Sequence, residues 1–119
     1  MKTLEDIKIL NEAEEITLQI YSVIKSLPAV EKFGLSSQIS RATVSVCANI
    51  AEGFYRDTHK DFRHFLVISR GSIGETIVLL RICSKLKYID LADYEIIKSK
   101  YEKLIISINA LIKYLKNHD

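Results

Sequence analysis

The hydrophobic residues in the first half of the chain repeat at steps of three or four positions. Such steps place side chains on one face of an α-helix. The two series are Ile9, Ala13, Ile16, Ile20, Val23 and Leu27, and then Leu35, Ile39, Ala42, Val46, Ile50 and Phe54. The pattern predicts a first helix that stops at Pro28 and a second helix that ends near Tyr55.

The second half keeps the same period over longer stretches. Asp57 and Thr58 are good N-cap residues, and Thr58 with Asp61 approximates a capping box in front of a third helix that reaches about Lys87. Asp90 is placed to cap a fourth helix. The apolar faces are Phe62, Phe65, Ser69, Ile73, Thr76, Leu80 and Cys83, and then a heptad seam of Ile97, Tyr101, Leu104, Ile108, Leu111 and Leu115. No period-two alternation competes with these helices.

Four helices joined by short connections must each lie antiparallel to the next helix in the sequence. We therefore predict an all-α fold, an up-down-up-down antiparallel four-helix bundle, in one domain over residues 1–119. The chain is 48% hydrophobic and 27% charged with only four Gly and one Pro, which excludes disordered and low-complexity classes.

The first and third helices have more apolar residues than one buried stripe uses. A chain of 119 residues cannot surround helices that are apolar on several sides. We therefore predict a homo-oligomer; the alternative is that these residues are ordinary positions at the margin of the core. The additional residues are Ile7, Leu10, Leu18, Tyr21 and Ile24 in the first helix, and Leu66, Val67, Ile68, Ile77, Val78, Leu79 and Ile82 in the third.

Polar residues form a stripe along the second helix. At about 100° per residue they span an arc of about 80°. This stripe is either a solvated face with weak intrahelical pairs or a seam packed against another helix. Ser45 and Asn49 favour the seam, because Glu, Lys or Gln would stabilise a merely solvated helix better. The stripe consists of Gln38, Arg41, Ser45, Asn49, Glu52 and Arg56.

The third helix places Ser72 and Glu75 one turn apart, with Gly71 and Gly74 beside them. A glycine inside a helix costs about 1 kcal/mol relative to alanine, so we expect a neighbouring helix to approach closely here. We also expect Glu75 to contact Arg41 or Asn49 of the stripe. The substitution Glu75→Ala would then lower the melting temperature.

The net charge is only +2, but all five arginines lie between residues 41 and 87. A basic set, Arg56, Lys60, Arg63 and Arg70, clusters around the turn between the second and third helices and is extended by Arg81, Lys85 and Lys87. Guanidinium groups bind phosphate oxygens, and the nearby Phe54, Tyr55 and His59 could stack on unpaired bases. This pattern predicts a surface for RNA or single-stranded DNA, although a merely solvated basic face fits one chain equally well. A symmetric ring would multiply the local charge.

The sequence predicts no catalytic, metal or cofactor site. It contains no Glu-x-x-His pair, phosphate-binding loop, nucleophile elbow, CxxC or HExxH motif. Cys47 and Cys83 lie within apolar helical patterns, which predicts buried structural thiols in a reducing compartment. The chain has neither a secretory pattern nor about eighteen consecutive apolar residues. We expect a soluble cytoplasmic protein that does not associate with membranes.

The segment from Phe33 to Gly53 ends in Ala-Asn-Ile-Ala-Glu-Gly, and Arg56, Lys60-Asp61-Phe62, Phe65-Leu66, Gly71-Ser72 and Glu75 follow it. This set resembles the four-helix-bundle proteins encoded by intervening sequences of bacterial large-subunit ribosomal RNA genes. The likeness spans nearly the whole chain and weakens in the fourth helix. The polar motif of the family maps onto Gln38, Arg41, Asn49, Glu52, Ser72 and Glu75.

This resemblance implies a homopentameric barrel of bundles with a basic surface and no established catalytic activity. Relatives include accessory proteins of diversity-generating retroelements, so a reverse transcriptase or another RNA-associated protein is an expected partner. Three positions depart from the family pattern: Ser40 replaces a basic residue, Cys47 a proline and Gly74 an alanine. The loss of the proline implies a milder kink in the second helix.

The sequence therefore predicts a non-enzymatic, pentameric interaction module that binds RNA or other nucleic acid. Arg56, Lys60, Arg63 and Arg70 would contact phosphates, and the polar motif would organise the bundle. The alternative is a structural protein–protein adaptor without nucleic-acid binding.

Overall fold

A computed structural model describes residues 3–118, and within this range the chain forms four α-helices and no strand. The helices are α1 (Lys8–Ile24), α2 (Leu35–Phe54), α3 (His59–Lys85) and α4 (Leu91–Asn117). Two short 3₁₀ turns, Leu4–Asp6 and Ala29–Glu31, precede α1 and α2. The predicted all-α four-helix bundle is confirmed.

The bundle is elongated, with extents of 47 × 23 × 21 Å. Helix α1 packs mainly against α2 and α4, and α3 packs mainly against the same two helices. Sequence neighbours are joined by short connections and run antiparallel, so α1 and α3 occupy diagonally opposite corners. This arrangement decides which charged helices lie side by side.

The ends of the helices agree with the predicted signals to within a few residues. The Thr58 hydroxyl accepts a 3.1 Å hydrogen bond from the Asp61 backbone N–H and so caps α3. Asp90 is the N-cap residue of α4, although its carboxylate makes no capping hydrogen bond. Helix α1 ends at Ile24 rather than at Pro28, because a turn at residues 25–27 precedes the proline.

Lys87 lies in the left-handed backbone region, with φ of 66°, in the turn that ends α3. The Tyr88 N–H donates to the Cys83 carbonyl at 2.9 Å and the Lys87 N–H donates to the Ser84 carbonyl at 3.0 Å, a Schellman arrangement. Glycine adopts this conformation without the steric cost that a β-carbon brings. We expect Lys87→Gly to raise the free energy of unfolding by about 0.5–1 kcal/mol, measured by chemical denaturation. A loss of stability would contradict this account, and Arg81→Gly, inside α3, is the control that should destabilise.

The core is formed by the predicted stripes, including most of the α4 heptad seam. Tyr101, Leu104 and Ile108 are fully buried there, and only Leu111 is half-buried. Some of the additional apolar residues of α1 and α3 also join the core, namely Ile7, Leu10, Leu66 and Leu79. Others stay exposed, namely Leu18, Tyr21, Val67, Ile68, Val78 and Ile82. The set of exposed apolar residues on α1 and α3 is thus smaller than predicted, but it is not empty.

Glu31 connects the two loops at one end of the bundle. One carboxylate oxygen accepts the Leu35 backbone N–H at 3.2 Å, which satisfies an otherwise unpaired donor at the start of α2. The other accepts the Tyr88 hydroxyl at 3.0 Å, from the connection between α3 and α4. Because the phenol donates to a carboxylate, the pKa of Tyr88 is raised. A β-carbon on Gly34 would lie 2.7 Å from Oε1 of Glu31, so a larger residue there would displace this flexible carboxylate.

Candidate functional site

The middle of the polar stripe on α2 is a hydrogen-bonded seam with α3. The hydroxyls of Ser45 and Ser72 lie 3.0 Å apart. The Asn49 amide donates to the Ser45 carbonyl at 2.8 Å and to its hydroxyl at 2.9 Å. All three side chains are half-buried, because short residues let the two helices approach closely. Of the two interpretations of the stripe, packing against another helix holds for this part.

The rest of the predicted polar network lies outside this seam. Gln38, Arg41 and Glu75 are exposed. In the described part of the chain Glu75 makes no hydrogen bond or ion pair with Arg41 or Asn49, so that predicted contact is absent within one chain. Ser72, one turn before Glu75, contacts the stripe instead. The predicted loss of melting temperature in Glu75→Ala therefore has no basis in contacts within the chain.

The surroundings of Gly71 and Gly74, the glycines beside Glu75, also differ from the prediction of a close helix contact. A β-carbon built on Gly71 or Gly74 would meet no atom within 4 Å, and both residues are exposed. No helix of the same chain approaches them. The closely approached glycine is Gly53 at the end of α2, where an added β-carbon would lie 2.9 Å from side-chain atoms of Phe62 and Phe65.

Glu52 and Arg56 form an ion pair within α2 and its C-terminal turn, with 2.7 Å between Oε1 and Nη2. Both side chains are about half exposed, so the pair contributes little, about 0–1 kcal/mol. The Arg56 guanidinium also lies 4.8 Å from the centre of the Phe65 ring, a cation–π contact. At this end the polar stripe is a solvated face, which was the other interpretation of the sequence pattern.

A buried chain of hydroxyl groups, which the sequence pattern did not predict, crosses the core. The Thr43 hydroxyl lies 2.8 Å from the Thr17 hydroxyl of α1 and 2.8 Å from the phenol oxygen of Tyr101 in α4. Thr17 also lies 3.4 Å from the Cys47 sulfur. Tyr101 was predicted only as an apolar seam residue. The available signal was the threonine at position 43, next to the apolar stripe position Ala42.

Burial governs the ionisation of this region. Removal from solvent raises the pKa of Tyr101 to about 12, partly offset by its hydrogen bond with Thr43. Burial likewise raises the pKa of Cys47, and it raises the pKa of Cys83 to about 11. Both thiols are therefore protonated near neutral pH. Because the thiolate is the nucleophilic form, both cysteines are unreactive there. Cys83 is buried, as the sequence predicted, whereas Cys47 is only half-buried.

The four predicted phosphate-binding residues do not form one cluster at the turn between α2 and α3. The Arg63 guanidinium donates to the Leu115 carbonyl at 3.2 Å, and Arg70 donates to the Asn109 side chain at 2.7 Å. Both therefore reach across to α4. Lys60 is exposed at the start of α3, whereas Arg56 follows the end of α2 and pairs with Glu52.

Charge is unevenly divided among the four helices of the bundle. Helix α3 carries five basic and two acidic residues, and α4 carries five basic and three acidic residues. Helix α1, at the opposite corner from α3, carries one basic and three acidic residues. Lys98, Lys113 and Lys116 of α4 add to the basic surface, although they lie far along the chain from the basic set that the sequence predicted. We call α3 and α4 together the basic helix pair.

An open groove of about 520 Å³ runs between the two helices of this pair. Its lining includes Arg81 and Lys85 from α3 and Lys98 from α4, with Glu95 as its one acidic residue. Among residues 3–118 there is no group of three or more His, Cys, Asp or Glu side chains that could hold a metal ion. None of the described helices is long and apolar enough to cross a membrane.

Four antiparallel helices with a small polar seam, a buried hydroxyl chain and a basic helix pair define a helical-bundle protein. Within that class, the model of the 23S rRNA-intervening sequence protein family matches residues 5–110. The chain belongs to this family, as its motif predicted.

One solved structure shares the fold over nearly its whole length. It is a protein with unknown function from the S23 ribosomal protein family, from Bacteroides thetaiotaomicron. The two chains are 27% identical with a TM-score of 0.81, and the match covers 88% of this chain and 98% of that one. No curated protein matches the sequence significantly.

Proposed function

We propose that this protein is a non-enzymatic, cytoplasmic homo-oligomer, a ring of five chains, which binds RNA or other nucleic acid through its basic helix pair. The observation that carries this proposal is the separation of charge between the basic helix pair and α1. The positive charge is thereby concentrated on α3 and on part of α4, whereas Lys100 and Lys103 of α4 line a groove with Glu12 and Glu15 of α1. Repeated around a ring, this charge becomes a continuous positive surface.

Phosphate contacts supply most of the affinity in nucleic-acid binding that does not read sequence. In this proposal Arg56, Lys60, Arg63 and Arg70 contact phosphates, together with Lys113 and Lys116 of α4. Arg70 uses one hydrogen bond on Asn109, and a guanidinium group has five N–H donors. A reverse transcriptase or another RNA-associated protein would be brought to the bound nucleic acid.

The hydrogen bonds of Arg63 and Arg70 to α4 favour a second candidate, a protein–protein adaptor. In that case these arginines stabilise the bundle, and the exposed apolar residues recruit protein partners. The basic residues would serve only to keep the protein in solution. Binding measurements separate the two candidates.

The test is fluorescence anisotropy with labelled RNA and single-stranded DNA at low salt. We expect a dissociation constant in the micromolar range that weakens steeply as salt rises, because binding releases counterions from phosphates. The variant Lys60→Glu, Lys113→Glu, Lys116→Glu changes exposed lysines of the basic helix pair. We expect it to weaken binding at least tenfold without loss of helicity.

The matched control is Lys8→Glu, Lys25→Glu, Lys32→Glu, which makes the same charge change outside the basic helix pair. An equal loss in both variants would mean that only total charge matters and would contradict a specific surface. No binding up to about 100 μM at low salt, below typical non-specific affinity, would reject the nucleic-acid proposal in favour of the adaptor. Sedimentation equilibrium of the same samples tests the ring of five.

A further inference from the structure

The groove of about 520 Å³ between α3 and α4 brings three kinds of side chain together. It has a cationic part, an apolar wall and one carboxylate. The apolar wall is open to solvent, because Val78 and Leu91 are 54% and 65% exposed. We call this space the α3–α4 groove. The side chains that matter here are the cations Arg81, Lys85 and Lys98, the apolar Val78 and Leu91, and the acid Glu95.

The three cations of the α3–α4 groove are not neutralised within the chain. Among residues 3–118, Arg81, Lys85 and Lys98 make no side-chain hydrogen bond and no ion pair. Glu95 lines the same groove but does not pair with any of them. Guanidinium and ammonium groups bind phosphate oxygens well. The cationic part of the groove is therefore suited to a phosphate group.

The apolar wall and the carboxylate distinguish between the anions that could enter. A bare phosphate would leave the apolar wall exposed. The carboxylates of an acidic peptide would be repelled by Glu95. A nucleotide uses all three parts of the groove, because its base packs on apolar side chains and the amino group of a base such as cytosine donates to a carboxylate. The volume of the groove is also within the range of small-molecule sites.

We propose that the α3–α4 groove binds one unpaired nucleotide of a nucleic-acid strand. Its phosphate lies on the three cations, its base packs against Val78 and Leu91, and the amino group of the base donates to Glu95. This inference rests on the nucleic-acid binding of the proposed function, and it adds a site that contacts a base. In a duplex the faces of each base are covered by its neighbours, so a single strand or a loop must supply the nucleotide.

The first test compares oligocytidine with oligouridine of the same length by fluorescence anisotropy at one low salt concentration. The strands have equal phosphates, but uracil, like thymine, has a carbonyl oxygen where cytosine has its amino group. We expect oligocytidine to bind about fivefold more tightly or better. Glu95→Gln should abolish this preference, because an amide accepts from cytosine and donates to uracil alike. Glu102→Gln, the same charge change on an exposed α4 residue outside the groove, should keep it.

The second test locates the ligand by methyl NMR. Cytidine monophosphate should shift the methyl signals of Val78 and Leu91, whereas inorganic phosphate should shift them far less, because it has no base to pack on them. The variant Arg81→Gln, Lys98→Gln should lose the response to cytidine monophosphate. The matched control is a variant that removes the same charge from exposed lysines on the α1 side of α4 and should keep the response, namely Lys100→Gln, Lys103→Gln.

Equal affinity for the two strands, or an equal loss of preference in Glu95→Gln and Glu102→Gln, would overturn this inference while leaving nucleic-acid binding intact. Methyl shifts with polyglutamate but not with cytidine monophosphate would assign the groove to an acidic protein partner and would also overturn it. Methyl shifts with cytidine monophosphate but no binding of either strand would reject the proposed function and leave a free nucleotide as the ligand. The absence of any response to mononucleotide or strand would overturn both.

Discussion

Replacement of Gly53 by valine should lower the free energy of unfolding by about 2–3 kcal/mol, a typical cost of overpacking. Gly53 is buried where α2 ends against the first turns of α3. Even a single β-carbon there would lie 2.9 Å from the Phe65 β-carbon and 3.2 Å from the Phe62 carbonyl oxygen. These atoms belong to the backbone or are bonded directly to it. They cannot rotate away, so α3 must shift.

Gly74→Val is the matched control for this prediction, because an added side chain at Gly74 meets nothing within 4 Å. Valine and glycine have similar helix propensities, so the change there should stay within about 0.5 kcal/mol. Chemical denaturation of both variants at one low protein concentration gives the comparison. Equal losses at the two positions would show that close packing at Gly53 is not what requires a glycine.

The substitution Thr43→Val should cost about 1–3 kcal/mol, because it leaves the buried Tyr101 hydroxyl without its 2.8 Å hydrogen bond to Thr43. Valine keeps the shape of threonine, so loss of the hydrogen bond dominates the effect. Tyr101→Phe removes the other end of the same bond. In a double-mutant cycle the two changes together should cost clearly less than the sum of the two single costs. Strict additivity would show that the hydroxyl groups do not act as one network.

The Tyr101 phenol also makes the free energy of unfolding depend on pH in the alkaline range. Its pKa is 10.0 in the unfolded chain and about 12 in the folded one, so the folded state holds the proton more tightly. The contribution is complete below pH 10 and is lost as pH rises towards 12. Cys83, raised from 9.0 to about 11, adds a loss in the same direction that begins at lower pH.

Denaturation curves recorded from pH 8 to pH 12 should therefore show falling stability, and Tyr101→Phe should flatten the part above about pH 10. Cys83→Ser is the comparison that should flatten the earlier part. A Tyr101→Phe variant with an unchanged slope above that pH would contradict a raised pKa for this phenol.

The apolar period of three and four residues is a local property of the chain, and it was sufficient to predict the four helices. The cap at Thr58, the antiparallel order and the α4 seam followed from the same local signals. The motif from Phe33 to Gly53 was sufficient for the family. Ser45 and Asn49 could be placed on a packed seam, because their small size is unfavourable on a solvated helix.

The tertiary structure alone decided which polar side chains meet. The rotation and axial offset of packed helices depend on the whole core, so the sequence did not reveal that Ser72 rather than Glu75 contacts the stripe. The same offset directs Arg63 and Arg70 to α4 and joins Thr17, Thr43 and Tyr101 from three helices. The distribution of charge over the surface also depends on how the helices pack. Helices distant in sequence become neighbours or opposites only after packing, and packing placed the acidic α1 opposite the basic α3.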